Sequence, residues 1–317
     1  MDQLKDVIAI DLEVTTACSA DCGFCPREAM PDRKAFISLE VVRRLADDLR
    51  GTTWGSRQVV LCGIGEPTLH PQLDAIVQTL KGAGLRVEMT THGGRMDSRR
   101  FEELVGRGVT GFHFSLNAAT AETHRKVMRL KSFDAIVANL QEILQLRASV
   151  FPNVEIHLSF VVCTLNEHEA VEFVESWRPR GPTRIWLHAL NNRAGLLAPG
   201  VAPADLDGLA RRFAADDLVV VDLFGDLGVQ GGLCKIARSL IFVSAEGEMR
   251  LCAMDYRRVT SYGNVMRKGL AAMHEEKLRQ YLAGQADGFC RGCDFCPSPA
   301  AEAGGAAPRP SLATLTG

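Results

Sequence analysis

The chain has 317 residues, of which 46% are hydrophobic and 23% charged, a composition typical of a globular protein with a sizeable core. Lysine and arginine total 36 against 38 aspartates and glutamates, so no basic excess exists for binding nucleic-acid phosphates. The sequence has no apolar run long enough to cross a membrane and no signal peptide. We therefore predict a soluble, cytoplasmic protein without nucleic-acid or membrane partners, in which ten cysteines indicate metal binding rather than disulfides.

Strand-like and helix-like segments alternate over residues 1–190. Strands are predicted at 7–14, 58–62, 85–91, 111–116, 154–162 and 183–190, and helices at 39–49, 73–82, 98–105, 121–128, 133–146 and 167–177. Successive β–α units form parallel sheets. The six units predicted here are too few to close an eight-stranded barrel. The sequence therefore predicts an α/β fold with a partial (β/α)6 TIM-like barrel.

Polar residues alternate with apolar ones in three of the predicted strands. Because neighbouring side chains on a strand point to opposite faces of the sheet, each polar set shares one face. Strands covered by helices on both faces are usually apolar throughout. The pattern therefore predicts a polar barrel interior that holds a polar ligand, with a single buried polar network as the alternative. The sets are Asp11, Glu13 and Thr15; His113, Ser115 and Asn117; and Glu155, His157 and Ser159.

After residue 190 the pattern changes, which predicts a smaller second domain over residues 191–296. Its predicted elements are a helix at 204–214, a strand at 218–224, a hairpin formed by 240–243 and 249–252, and a helix at 270–283. Residues 297–317 consist mainly of Ala, Gly, Pro and Ser and are predicted to form a disordered tail.

Cys18, Cys22 and Cys25 form the first cysteine group, with three and two residues between them, just after the first predicted strand. Soft thiolates bind zinc, copper(I) or iron–sulfur clusters. Three thiolates can hold three irons of a [4Fe–4S] cluster and leave the fourth iron open to another ligand. Structural zinc is the alternative, and it requires a fourth protein ligand nearby.

The spacing Cys18-x3-Cys22-x2-Cys25, with Phe24 before the third cysteine, resembles the defining motif of the radical S-adenosyl-L-methionine (SAM) enzymes. Similar motifs follow later predicted strands in the family's order. They are Gly63-Ile64-Gly65-Glu66-Pro67, Thr91-His92-Gly93 and Ser115-Leu116-Asn117. Two positions depart from the usual pattern, since Ile64 separates glycines that are often adjacent and His92 stands where asparagine is usual. The resemblance covers residues 7–190.

The resemblance implies a [4Fe–4S] cluster on the first cysteine group, with SAM chelating its open iron. It implies that one electron from the cluster cleaves SAM and that the resulting 5′-deoxyadenosyl radical removes a hydrogen atom from the substrate. An external one-electron reductant of the flavodoxin or ferredoxin type is expected as a partner. The implied SAM-binding residues are Phe24, Gly63, Gly65, Glu66, Thr91, Ser115 and Asn117, with Arg129 as a further candidate for the SAM carboxylate.

A second cysteine group lies near the carboxyl terminus, at Cys234, Cys252, Cys290, Cys293 and Cys296. Four thiolates can bind zinc or an iron–sulfur cluster. Next to a radical SAM core, however, this segment resembles the auxiliary-cluster domain called SPASM, or its shortened form, twitch. A full SPASM domain has seven cysteines and two auxiliary clusters. We therefore predict one auxiliary [4Fe–4S] cluster on the first four cysteines, with Cys296 as a substitute ligand or a free thiol.

The spacing is similar to that of twitch dehydrogenases, which oxidise an aminocyclitol alcohol to a ketone in antibiotic biosynthesis. We expect a small polar substrate, such as an amino sugar or aminocyclitol, that loses a carbinol hydrogen. The auxiliary cluster would then accept the second electron. Arg193, after the sixth predicted strand, is the candidate that binds or helps to deprotonate the hydroxyl. His157 and Glu13 are further candidate bases.

Two other reactions remain open at this point. An aminoglycoside or sugar epimerase would use a cysteine thiol as hydrogen donor. The candidates are Cys62 and Cys163, which lie at the ends of predicted strands, and Cys296, which the predicted auxiliary cluster does not require. Peptide-modifying SPASM enzymes commonly have an additional amino-terminal recognition domain. The barrel here is predicted to begin near residue 7, which favours the small substrate.

Overall fold

A computed structural model describes residues 4–50, 52, 54–222, 229–230, 233–285, 287–290 and 293–294. Its strands are β1 (Ala9–Glu13), β2 (Gln58–Cys62), β3 (Arg86–Thr91), β4 (Val109–Ser115), β5 (Glu155–Val162), β6 (Arg184–Ala189), β7 (Val219–Asp222), β8 (Val229–Gln230), β9 (Leu233–Cys234), β10 (Leu240–Val243) and β11 (Met249–Arg250). Its helices are α1 (Leu39–Arg50), α2 (Leu73–Gly82), α3 (Ser98–Arg107), α4 (Ala121–Val127), α5 (Phe133–Ser149), α6 (Ala170–Trp177), α7 (Asp207–Arg212), α8 (Lys235–Ser239), α9 (Leu270–Leu282) and α10 (Asp287–Cys290).

In the part of the chain that the structure describes, nine strands form one sheet in the order β11-β10-β1-β2-β3-β4-β5-β6-β7. All neighbouring pairs are parallel except β10 and β11. Strands β1 to β6 with their helices are the predicted partial barrel, which the structure confirms. The sheet continues through β10 and β7 into the region after residue 190, so the division into domains at that residue stays a prediction. The predicted tail at 297–317 lies outside the described residues.

Helix α3 illustrates how the local sequence sets the ends of an element. The Asp97 carboxylate accepts a hydrogen bond from the Arg100 N–H at 2.7 Å, which is the usual N-cap contact. Gly108 follows the helix with a φ of 120°, a conformation that glycine adopts readily and that ends the helix. Phe101 and Leu104 lie on one helical face, are both 0% exposed and belong to the core.

The alternation of polar and apolar residues places two different environments on the faces of the sheet. In β1, Ile10 and Leu12 are 0% exposed within the apolar core. On the polar face, His113 of β4 lies beside His157 of β5 in the strand register, and their rings stack with centroids 4.6 Å apart. The His113 Nε2 lies 3.0 Å from a carboxylate oxygen of Glu88 on β3. Polar side chains from neighbouring strands therefore contact one another along this face.

The parallel arrangement brings the ends of β1 to β6 to one edge of the sheet. The segments after these strands contain the first cysteine group, the glycine motif, the Thr-His-Gly motif, Asn117 and Arg193. Binding sites in barrels of this kind lie at the carboxyl ends of the strands. None of the helices in the described part of the chain has the length and hydrophobicity needed to cross a membrane.

Candidate functional site

A cavity of about 350 Å³ lies at the carboxyl ends of the strands. Its volume is within the range of small-molecule sites. The structure brings most of the predicted site residues together in its lining. They are Cys18, Cys22, Phe24, Cys25, Cys62, Gly63, Gly65, Glu66, Thr91, Ser115, Asn117 and Arg193.

The first cysteine group lies in the loop that follows β1. The Cys25 N–H donates a hydrogen bond to the Cys22 carbonyl at 3.0 Å. Arg27 donates from Nη1 to the Cys18 carbonyl at 2.7 Å. These contacts fix the loop so that all three thiols line the same cavity.

Burial raises the pKa of all three thiols. The pKa of Cys18 is raised to about 11, mainly by burial and less by the negative charges of Glu66 and Cys25. The pKa of Cys22 is raised further, by burial and then by the charges of Cys25 and Cys18. Thiolates at this site therefore need positive charge beside them, which metal binding supplies.

The arrangement of the three thiols fits an iron–sulfur cluster. Thiolates are the ligands that bind iron in such clusters. Over the described residues, no group of three or more His, Cys, Asp or Glu side chains is placed to hold a single metal ion. Several thiolates on one cluster need not converge on a single ion, because the cluster contains several irons. Cys18, Cys22 and Cys25 are the residues that would hold it.

The glycine motif after β2 packs closely against β1 and the residues that follow it. A Cβ at Gly65 would lie 2.1 Å from the Thr15 carbonyl oxygen, and a Cβ at Gly63 would lie 2.7 Å from Cγ of Glu13. Gly63 also has a φ of 117°, which strongly favours glycine. The two glycines therefore allow the backbone of this motif to lie beside the cysteine loop, where it lines the cavity.

The Glu66 carboxylate connects the glycine motif to the end of β3. Its Oε1 accepts hydrogen bonds from the Oγ1 atoms of Thr68 and Thr91, both at 2.7 Å. Its Oε2 accepts from the His92 N–H at 2.9 Å. Glu66 is only 2% exposed, and these donors satisfy its oxygens. Glu66 therefore fixes the relative position of two motifs that the resemblance assigns to SAM binding.

His92, where the family usually has asparagine, extends this connection to the cysteine loop. The Gly94 N–H donates to His92 Nδ1 at 3.0 Å, so in the neutral ring the hydrogen lies on Nε2. Nε2 is 3.0 Å from Ser19 Oγ and 3.4 Å from Glu66 Oε2. The imidazole thus joins the end of β3 to the residue that follows Cys18.

Asn117 joins the ends of β4 and β5. Its backbone has a φ of 57°, and its Oδ1 accepts from the Val161 N–H at 2.7 Å. Asn166 donates from Nδ2 to the Asn117 carbonyl at 2.9 Å. Asn117 and Ser115 both line the cavity, on the wall formed by β4.

Arg193 connects the cysteine loop to the segment after β11. Its Nε donates to the Phe24 carbonyl at 3.2 Å, and its guanidinium carbon lies 5.6 Å from the centre of the Phe24 ring. The Tyr256 hydroxyl lies near this guanidinium and donates a hydrogen bond to Met254 Sδ at 3.2 Å. Burial raises the pKa of Tyr256 although the Arg193 charge opposes this effect, so the phenol keeps its proton. A cation and a phenol therefore lie together in the cavity wall.

Cys62 lines the cavity at the end of β2, and its thiol donates a hydrogen bond to the Asp11 carboxylate. Burial raises the pKa of Asp11 to about 6. Burial and the neighbouring Asp11 raise the pKa of Cys62 well above its usual value. Cys62 is therefore a protonated thiol in the cavity wall.

Glu13 and His157, the candidate bases, lie outside the cavity lining. Glu13 is 1% exposed and forms an ion pair with Arg258, which is itself nearly buried. Burial raises the pKa of Glu13, and the Arg258 charge opposes this rise. His157 precedes the lining residue Val161 by four positions, about 13 Å along a strand. Their assignment as bases stays a prediction.

Arg129 and Cys163 also lie outside the lining. Arg129 forms an exposed ion pair with Asp21 of the cysteine loop, with Nη1 and Oδ2 2.9 Å apart. Cys163 is 0% exposed and packs with an apolar cluster that includes Val127 and Leu190. The proposed contact of Arg129 with the SAM carboxylate, and the proposed role of Cys163 as hydrogen donor, stay predictions.

Four cysteines of the second group lie in one buried region. Cys234 ends β9, Cys252 follows β11, Cys290 ends α10, and Cys293 follows it. Burial raises the pKa of Cys252 to about 12, and the charges of Cys234 and Cys293 contribute to the rise. The Cys293 N–H donates to the Cys290 carbonyl at 3.0 Å. This set fits one auxiliary cluster, and Cys296 lies outside the described residues.

Several residues of the site were not identified from the sequence. Met254 and Tyr256 line the cavity, and Tyr256 could have been noticed because it follows Cys252 by four positions. Lys277 lies on the buried face of α9 with Met273 and Tyr281. The sequence feature that could have identified Lys277 is a lysine at a helical position where the periodic pattern places an apolar residue.

A sequence model of the radical SAM superfamily matches residues 12–176, which span β1 to α6. The chain belongs to the radical SAM superfamily. A model of the SPASM iron–sulfur cluster-binding domain matches residues 234–294, which contain four cysteines of the second group. Both matches confirm the family and the carboxyl-terminal extension that the motifs predict.

The curated relatives match only part of their length. A probable GTP 3′,8-cyclase of Saccharolobus solfataricus is 30% identical over 181 residues, which are 57% of this chain and 56% of the relative. The GTP 3′,8-cyclase of Chlorobaculum tepidum is 26% identical over 176 residues, which are 55% of this chain and 51% of the relative. The match thus spans a little over half the length of these curated relatives.

Solved structures cover more of the chain. BtrN in complex with AdoMet and 2-DOIA has a TM-score of 0.57 at 16% identity, over 93% of this chain and 94% of BtrN. Streptococcus suis SuiB bound to precursor peptide SuiA has a TM-score of 0.67 at 13% identity, over 84% of this chain and 64% of SuiB. At these low identities, the structural similarity to BtrN and SuiB shows only that this chain shares their fold.

Membership of the superfamily implies that the chain binds a [4Fe–4S] cluster and SAM, as predicted. The SPASM match implies auxiliary iron–sulfur binding, and the number of auxiliary clusters stays a prediction. Radical SAM enzymes also need an electron from a reductant. When bound, SAM and its cluster supply a radical that removes a hydrogen atom from the substrate, and the protein positions that substrate.

Proposed function

We propose that this radical SAM protein is an oxidoreductase that converts an alcohol of a small amino-sugar or aminocyclitol-like substrate to a ketone. The reaction would transfer the carbinol hydrogen atom to the 5′-deoxyadenosyl radical, then release one proton from the hydroxyl to solvent water and one electron from the remaining substrate radical. The auxiliary cluster supplies an acceptor for that electron. The chain's own residues bind the hydroxyl, orient the carbinol carbon and stabilise the charge that develops on oxygen.

The observation that carries this proposal is the composition of one cavity wall. Ala253, Met254 and Tyr256, which closely follow the predicted ligand Cys252, line the same cavity as the first cysteine group. A substrate bound there lies between the two proposed cluster sites. This position suits a reaction that needs a radical on one side of the substrate and an electron acceptor on the other.

Arg193 and Tyr256 are the proposed contacts of the substrate hydroxyl. Both have hydrogen-bond donors in the cavity wall, and the guanidinium of arginine is a cation with a planar set of donors. A fixed cation beside the hydroxyl oxygen stabilises negative charge there as the proton leaves. The Phe24 carbonyl holds the guanidinium in place at 3.2 Å, so the cation does not need to reorganise during the reaction.

The proposed substrate class follows from the polarity of one cavity wall. Arg193 and Tyr256, which the SAM motifs do not include, add a cation and a phenol to the lining, and these groups suit a polar molecule. The fold also follows that of BtrN, whose structure contains 2-DOIA, over 93% of this chain. We infer from these two observations that an aminocyclitol or amino sugar is the substrate.

Epimerisation is the second candidate, and the position of Cys62 favours it. Its protonated thiol lines the cavity and is placed to give a hydrogen atom to a substrate radical. Donation from the face opposite to abstraction inverts the carbon and leaves a sulfur radical. The external reductant supplies one electron and the solvent one proton to restore the thiol.

Anaerobic turnover in deuterated water distinguishes the two reactions. The reconstituted enzyme is incubated with SAM, a reductant and a panel of aminocyclitols and amino sugars, and products are analysed by mass spectrometry and NMR. Formation of a ketone supports dehydrogenation. Deuterium at an inverted carbon supports epimerisation instead.

The same experiment is repeated with a Cys62 variant and with GTP as a possible substrate. In a Cys62→Ala variant, dehydrogenation continues whereas epimerisation stops. Cys163→Ala is the comparison, because loss of epimerisation in that variant alone would assign the hydrogen donor to Cys163. GTP is included because the matched curated relatives are named as GTP 3′,8-cyclases or probable ones. Substrate-dependent SAM cleavage with GTP alone would contradict both proposals.

A further inference from the structure

Lys277 of α9 is fully buried, with 0% of its surface exposed. It shares the inner face of the helix with Leu270, Met273 and Tyr281. Its ammonium donates a hydrogen bond from Nζ to the Leu240 carbonyl at 2.7 Å. Lysine is rarely buried in this way unless a negative group compensates its charge, because an ammonium loses strong hydration.

The groups near the ammonium show which negative charge is available. Within the described part of the chain, Lys277 forms no ion pair with a carboxylate. Tyr281, one turn further along the same face of α9, accepts a hydrogen bond from the Cys234 N–H at 3.1 Å, so this face packs against the second cysteine group. The charges that act on the ammonium are, in decreasing order, those of Cys252, Cys234 and Asp11. Two of the three are proposed ligands of the auxiliary cluster.

We propose that Lys277 is the buried counter-charge of the auxiliary cluster and that its positive charge raises the reduction potential of that cluster. A [4Fe–4S] cluster with four thiolates is negative overall, and reduction adds one more negative charge. An ammonium in a poorly solvated interior stabilises the reduced form more than the oxidised form. Loss of the charge therefore makes the cluster harder to reduce.

This inference concerns the auxiliary site and does not depend on the identity of the substrate. It also gives Lys277 a defined place beside the barrel, because its hydrogen-bond partner Leu240 lies in β10, which pairs with β1. Asp11 of β1 in turn lies near Cys62, which lines the cavity. The counter-charge thus lies between the second cysteine group and the polar side of the barrel.

The test measures the midpoint potential of the auxiliary cluster in the full chain, reconstituted anaerobically. The first cysteine group is replaced by alanine so that only the auxiliary cluster contributes to the spectrum. Lys277→Met removes both the charge and the hydrogen bond, Lys277→Gln removes the charge but keeps a donor, and Lys277→Arg keeps the charge. Lys126→Met is the matched control, since it removes an exposed lysine that pairs with Glu122 on α4.

We expect potentiometric titration followed by electron paramagnetic resonance to show equal shifts to more negative potential in Lys277→Met and Lys277→Gln. Lys277→Arg and Lys126→Met keep the original potential. Unchanged potentials in both neutral variants would overturn the proposal. A shift in Lys277→Met that is absent from Lys277→Gln would also overturn it, because the hydrogen bond rather than the charge would then be responsible.

Iron content decides the outcome if the neutral variants do not assemble the auxiliary cluster. Retention of iron in Lys277→Arg, with loss in Lys277→Met and Lys277→Gln, supports the need for a positive charge. Loss of iron in all three variants counts against the proposal, because the side chain would then be required for packing.

Discussion

The guanidinium of Arg193 lies close enough to the hydroxyl of Tyr256 for its charge to oppose the rise that burial causes in the pKa of the phenol, and this proximity connects the barrel to the SPASM segment. Arg193 comes from the loop after β6, whereas Tyr256 follows β11, yet both line the same cavity. Because Arg193 also donates to the Phe24 carbonyl at 3.2 Å, one side chain contacts both cysteine-bearing segments. The proposed substrate position between the two cluster sites depends on this arrangement.

Replacement of Arg193 by methionine should lower kcat/KM for substrate oxidation by about 100-fold, because the cation that stabilises charge on the substrate oxygen is lost. Iron content should stay unchanged, since Arg193 is not a cluster ligand. Arg50→Met is the matched control, because Arg50 is an exposed arginine on α1 that pairs with Asp47. A variant with unchanged kcat/KM would remove Arg193 from the proposed mechanism.

Replacement of Cys18 by alanine tests the assignment of the first cluster. Reconstituted wild-type protein should contain about eight irons per chain if it binds two [4Fe–4S] clusters, and the variant about four. Cleavage of SAM should be lost, as measured by chromatography of 5′-deoxyadenosine. Cys163→Ala should retain both properties because its side chain packs in an apolar cluster outside the cavity lining. SAM cleavage by the Cys18 variant would disprove the cluster assignment.

Most of the fold could be predicted because its signals are local. Strand β2 and helix α2 have the predicted bounds, since apolar periodicity and turn residues mark both ends. Helix α6 begins at Ala170 rather than at residue 167, because residues 167–169 form a tight helical turn. The alternation of polar residues also identified the strand face on which His113 and His157 stack.

The contacts that complete the site could not be predicted in the same way. The motifs are contiguous in sequence, and each follows a strand, so their meeting at one edge follows from the parallel sheet. In contrast, Glu13 and Arg258 are 245 positions apart, and no periodic pattern in the sequence indicates that they form a pair. The same holds for Arg193 and Tyr256, which come from the segments after β6 and β11 and line the same cavity.

Replacement of Arg258 by methionine should lower the free energy of unfolding by about 3–5 kcal/mol, because it leaves the Glu13 carboxylate buried without its partner. Glu13 and Arg258 are both nearly inaccessible to solvent. Chemical denaturation of the reconstituted protein measures the change. A double variant, Glu13→Gln with Arg258→Met, should recover part of the loss, and an equal loss in both proteins would argue against the ion pair as its cause.

His274 should make stability depend on pH. Burial lowers the pKa of His274 from 6.5 to about 2, and the neighbouring Lys277 charge contributes. The folded state therefore binds fewer protons than the unfolded state below pH 6.5, and stability falls as the pH falls. Between pH 7 and pH 5, wild-type protein should lose about 2 kcal/mol more than a His274→Met variant. Denaturation at both pH values measures this difference, and parallel losses would contradict the assigned pKa.

The central claim is that this radical SAM enzyme removes a hydrogen atom from the carbinol carbon of a small polar substrate. Turnover with aminocyclitols and amino sugars that carry deuterium at the carbinol carbon tests it most directly. We predict that deuterium appears in 5′-deoxyadenosine and that the matching ketone forms. Substrate-dependent formation of 5′-deoxyadenosine without deuterium would contradict the claim, because the hydrogen atom would then come from another position.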